Sequence, residues 1–155
     1  MRERRNSWTA GWTLALALAC GVAAPQLRAD LKAALAEKDL ERRSKLALDN
    51  AEAALQAARS AYQQGDLEKT AAALKEIRES VELAYQSLSD THKNPRKSPH
   101  WFKNAELVTR DILRRLDTFD HDMGYDDRPM LKPVEERVQQ VHDDLLLGLM
   151  EGKPK

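Results

Sequence analysis

From about residue 29 onward, apolar positions recur every three or four residues, and polar positions fill the intervals. Leu48, Ala51, Leu55, Ala58 and Tyr62 form one such stripe. A second runs Leu67, Ala71, Leu74, Ile77, Val81, Ala84 and Leu88. A third takes Ala105, Val108, Ile112, Leu116, Phe119 and Met123, flanked by Phe102 and Leu113. The last takes Val134, Val138, Val141, Leu145 and Leu149. This spacing places each set on one face of a helix. It predicts helices over about 29–64, 67–90, 99–122 and 131–150. Strand-like alternation bounded by turn residues appears nowhere.

The breaks between stripes are as informative as the stripes. Gln64-Gly65-Asp66 offers a left-handed helix terminus at Gly65 and a cap for the next helix at Asp66. Pro95 and Pro99 exclude helix from the stretch 92–98, where Ser98 is a candidate N-cap with Pro99 behind it. Gly124 to Met130 makes the third break. Four amphipathic segments joined by short connections predict an all-α, antiparallel four-helix bundle made of two helical hairpins. Two hairpins stacked as in a short solenoid are the alternative. In an up-down bundle the connectors at 65 and 124 fall at one end and 92–98 at the other.

The first thirty residues follow a different rule. Arg2, Arg4 and Arg5 precede the continuous apolar run from Trp12 to Ala24, which is followed by polar sequence from Gln26. A run of that length is short for a membrane span, which takes about 20 residues. The layout is that of a secretory signal peptide. It divides the chain into a signal peptide over 1–29 and a helical domain over 30–155, with cleavage expected after residue 23 or 29. Processing as a lipoprotein at Cys20 is a second route, although Ala17-Leu18-Ala19 sets the large residue one place out of register. The expected location is the periplasm or cell envelope, with membrane attachment only through a lipid on Cys20.

That division changes the meaning of the composition. The whole chain holds 25 basic and 25 acidic residues, one Cys and three Trp. Residues 1–29 contain four Arg and one Glu, so the remainder carries 21 basic and 24 acidic residues, a charge of −3. A cut after Ala23 keeps Arg28 and gives −2. Neither value favours nucleic acid as a partner. Either cut removes Cys20, and with it thiol chemistry and any disulfide.

Two polar stretches stand out as candidate interaction surfaces. The first is Lys93, Arg96, Lys97, His100, Trp101 and Lys103, where positive charge gathers beside the last remaining Trp. Such a run can engage an acidic partner through charge and stacking. Trp101 and Phe102 can equally fold back to seal the end of the bundle. The second is Asp120, His121, Asp122, Tyr125, Asp126 and Asp127, an acidic run suited to a basic surface. Asp126, Asp127 and Arg128 also read as a structural approach to the last helix.

Known motifs meet this chain only in fragments. Tyr62-Gln-Gln-Gly65-Asp66 with Ala71 and Ala72 resembles the mid-repeat turn of a tetratricopeptide repeat. The aromatic-to-Gly spacing is one residue short, and no second copy follows. Asp120, Asp122 and Asp126 resemble the start of a calcium loop. Gly124 then falls at position five and Leu131 at position twelve, where an EF-hand needs Gly at six and Glu at twelve. His121 and His142 lack the Glu-x-x-His pattern of di-metal bundles, and Cys-x-x-Cys-His haem attachment is absent from the sequence. No Ser/His/Asp spacing or phosphate-cradling loop is distinctive. The sequence therefore predicts no catalytic, metal or cofactor residues. It favours a non-enzymatic, exported interaction or scaffolding module with a protein partner. The alternative is a bundle holding a metal ion or small apolar molecule. Neither reading fixes the oligomeric state.

Overall fold

The computed structural model describes residues 31–152. The signal peptide expected over 1–29 lies outside the described residues. Among the described residues five helices occur in order: α1 Leu31–Ala36, α2 Leu40–Gln63, α3 Leu67–Asp90, α4 Pro99–Asp122 and α5 Lys132–Glu151. A single 3-10 turn, Arg128–Met130, leads into α5. No strand occurs among the described residues. The four long helices pack on one another as an all-α bundle, as the stripes predict.

The first segment is divided. Asp39 breaks it, because its side chain accepts a hydrogen bond from the Arg42 amide at 2.9 Å and so caps α2. Glu37 reinforces the break: its carboxylate accepts from the Asp39 amide, and its carbonyl accepts from Arg43 Nε at 2.8 Å. The short α1 packs on α2 and buries Ala34.

α2 and α3 make the most extensive contact. Ala47, Ala51, Ala54 and Ala58 are all sealed from solvent on α2, and small side chains let neighbouring helices approach closely. Leu48 and Leu55 from α2 meet Leu74, Ile77, Val81 and Leu88 of α3 in one core. Phe102, Ile112, Leu116, Phe119, Val138, Val141 and Leu145 complete it from α4 and α5. At the start of α3 the structure departs from the stripe. Leu67 and Ala71 are exposed, and Thr70 takes the core position. Thr70 can be buried because its hydroxyl donates to the Asp66 carbonyl at 2.8 Å.

The order of helices around the bundle follows from the contacts. α2 packs against α3 and α4, and α5 packs against α3 and α4. α3 and α4, joined by 91–98, touch only lightly across the diagonal. Helix direction alternates along the chain, yet the hairpins stack with like on like. Glu52 reaches Arg115 at 3.8 Å and Arg59 reaches Asp122 at 2.6 Å, so α2 and α4 run parallel. α3 and α5 therefore run parallel too, with Arg137 bound to Glu82 at 3.1 Å.

Candidate interaction surfaces at the two ends of the bundle

The two sequence-derived surfaces lie at opposite ends of the bundle. At the first, Asn94 builds the loop. Its side-chain oxygen accepts from the amides of Arg96 and Lys97, and its carbonyl accepts from Lys97 and Ser98. Ser98 occupies the N-cap position of α4 but makes no side-chain capping bond. Pro95 and Phe102 are buried, Phe102 within the core, and Trp101 packs half-buried against it. His100 sits edge-on to the Trp101 ring, 5.0 Å between centroids. The aromatic residues therefore seal the bundle end, with His100 outside.

The positive charges at this loop divide into two groups. Lys93 is held by Glu41 at 2.7 Å, which ties the loop to the first turn of α2. Arg96, Lys97 and Lys103 are exposed and have no ion-pair partner among the described residues. The stem of Arg96 lies over Gly152, the left-handed residue that ends α5.

At the other end, half of the second surface has structural duties. Asp122 pairs with Arg59, and Asp120 lies 3.9 Å from Arg128. Asp127 accepts a hydrogen bond from the Tyr62 hydroxyl at 2.9 Å. The same hydroxyl accepts from the Gly124 amide at 2.8 Å. Tyr62 thus grips both flanks of the loop from the opposite hairpin, while its ring stands edge-on to Phe119 at 5.7 Å. Turns inside the loop add bonds from Asp127 and Arg128 to the Gly124 carbonyl. Between those anchored flanks, Tyr125 projects outward with 86% of its surface exposed. Asp126 and His121 are exposed beside it in sequence. His121 donates to the Asp117 carbonyl, and that bond, with the Asp117 charge, raises its pKa above the usual imidazole value. Glu135 is also raised, by burial first and then by Asp120 and Asp117.

A polar cluster that the sequence did not assemble lies between α4 and α5. His142 Nδ1 is 3.4 Å from the Thr109 hydroxyl and 3.9 Å from Glu106. Hydroxyl, imidazole and carboxylate suggest a nucleophile with its base, but the geometry is wrong for a relay. Both partners approach the same ring nitrogen, whereas a relay needs them on opposite nitrogens. The Thr109 hydroxyl is buried and already donates to the carbonyls of Ala105 and Glu106. The cluster satisfies buried polar groups at the helix seam. No group of three His, Cys, Asp or Glu side chains among the described residues is arranged to hold a metal ion.

An open groove of about 560 Å³ runs between α3 and α5. Arg78 and Arg137 line it with Glu79, Glu82 and Glu136, so its walls carry mixed charge.

No known protein family or curated relative matches the chain.

Proposed function

We propose that the protein is an exported, non-enzymatic interaction module of the cell envelope, and that it engages a protein partner through the loop 123–128 with Tyr125 as its anchor. The observation that carries this reading is the contrast between a loop fixed at both flanks by Tyr62 and the exposed aromatic it presents. Binding a preordered loop avoids most of the entropy cost of ordering it. Tyr is also among the residue types that dominate binding energy at interfaces. The acidic neighbours favour a partner whose pocket for the ring has a basic rim.

The reading is tested with a photo-crosslinking phenylalanine analogue at position 125 in intact cells. The expected product is one discrete adduct from position 125, and none when the analogue replaces Lys75, which is exposed on α3. Identical adducts from both positions, or none from either, would sink the assignment. Tyr125→Ala is expected to abolish capture of the same partner while leaving the thermal midpoint unchanged.

A further inference from the structure

We propose that the opposite end of the bundle, centred on Arg96, Lys97 and Lys103, docks on an anionic lipid bilayer surface. Charge is unevenly distributed along the bundle axis, and this end lies remote from Tyr125. Residues 31–43, 90–104 and 148–152, which meet at this end of the bundle, hold eight basic and five acidic residues. Residues 59–70 and 117–136, at the Tyr125 end, hold nine acidic and four basic residues. The near-neutral total thus hides a molecule polarised from end to end. Near an anionic membrane, attraction at one end and repulsion at the other give such a molecule a preferred orientation.

The chemistry of the basic end fits a lipid interface. Arg96, Lys97 and Lys103 have no carboxylate partner among the described residues, so pairing with lipid phosphates breaks no ion pair. The Asn94 bonds and the buried Pro95 hold the loop in place. Trp101 lies half-buried there with His100 at its edge, and amphipathic rings favour the headgroup level. Met150 in the last turn of α5 is 68% exposed, and Leu35 of α1 is 55% exposed.

The path of the chain points the same way. Lys93 is bound to Glu41, so the start of α2 lies against the basic loop, with α1 immediately before it. The apolar run 12–24 joins α1 through residues 25–30. Six residues span at most about 20 Å, and the ten between Cys20 and α1 at most about 35 Å. Where that run stays in a membrane, or Cys20 carries a lipid, the end delivered to the bilayer is the one with the unpaired cations. Where the run is removed, the charge polarity remains.

The test uses the chain from residue 30, which contains every residue of the closed core. Its binding to phosphatidylcholine vesicles is measured by co-sedimentation, with and without phosphatidylglycerol. Trp101, the single Trp after residue 30, supplies a second signal. The expected result is binding only with phosphatidylglycerol, a blue shift of Trp101 emission, and release at high salt. Each cation near the surface contributes on the order of fivefold in affinity, so Arg96→Glu with Lys97→Glu and Lys103→Glu should weaken binding by well over tenfold. Asp126→Lys at the far end should leave it undiminished. Circular dichroism and the thermal midpoint of the triple variant confirm that it is folded. Equal binding to both vesicle types, no binding to either, or parental binding by the folded triple variant overturns the proposal. Capture by soluble polyglutamate without vesicle binding also overturns it and assigns the loop to an acidic protein.

Discussion

Tyr62→Phe isolates the contact that joins the two hairpins at the acidic end. The substitution keeps the ring and its edge contact with Phe119, and removes one oxygen. That oxygen donates to the Asp127 carboxylate at 2.9 Å and accepts from the Gly124 amide at 2.8 Å. A hydrogen bond to a charged group contributes roughly 1.5–3 kcal/mol and a neutral one about 1 kcal/mol. Asp127 is half-buried and Gly124 is exposed, so water replaces part of both bonds. The expected loss is about 1–2 kcal/mol, which lowers the thermal midpoint by about 3–8 °C for a domain of this size. Urea denaturation of Tyr62→Phe, Asp127→Ala and the double variant measures the pair directly. The cycle should yield a coupling of about 1 kcal/mol. A loss below roughly 0.3 kcal/mol, or full additivity of the two substitutions, would refute the view that this hydroxyl fastens one hairpin to the other.

Three further outcomes are expected. Gly152→Ala should cost more than Gly65→Ala, by about 1 kcal/mol in urea denaturation. Both have positive φ, but a Cβ at 152 meets Arg96 and Asn94 at 3.0–3.2 Å while one at 65 meets nothing. Asn50 is buried and its amide donates to Ser80 at 2.8 Å and Glu76 at 3.0 Å, so Asn50→Ala should destabilise by about 1–3 kcal/mol. Adding Ser80→Ala should recover part of that loss, since it removes the orphaned hydroxyl. Glu135 has a raised folded pKa, so its ionised form opposes folding. Glu135→Gln should be the more stable protein at neutral pH. Its advantage should shrink as pH falls through the folded pKa and vanish below the unfolded carboxylate range, as followed by thermal melts across pH.

The helices were legible because each needs only its own periodicity and breakers. Gly65, Asp66, Pro95 and Pro99 mark termini through local chemistry that acts within a few residues. The division of the first segment at Asp39 was less visible, because a capping Asp inside an Ala- and Leu-rich run competes with strong helix formers. Thr70 in place of Leu67 and Ala71 was missed for a related reason. A Thr that bonds its own backbone can be buried, and apolarity alone does not report that. The candidate residues were legible as clusters of charge, but their duties were not. Lys93 meets Glu41 and Asp127 meets Tyr62 across separations of 52 and 65 residues, and nothing in either local sequence marks the partner. The same holds for Glu106, Thr109 and His142, which only the antiparallel register of α4 and α5 brings together. The parallel stacking of hairpins was equally hidden, since a connection of that length reaches either a neighbouring or a diagonal position.

The basic loop also touches both the start of α2 and the end of α5. Glu41, at the entry to α2, meets it through Lys93, and Gly152, at the exit from α5, rests on Asn94 and Arg96. The order in which the chain visits its four long helices is therefore incidental to the finished packing. A flexible linker from residue 152 to residue 31, with new termini opened at Gly65, would give a circular permutant that visits the helices from α3 onward and closes on α1 and α2. It should assemble the same core and leave Tyr125 and the unpaired cations on opposite ends, so the polarity of the molecule belongs to its packed form and not to its thread.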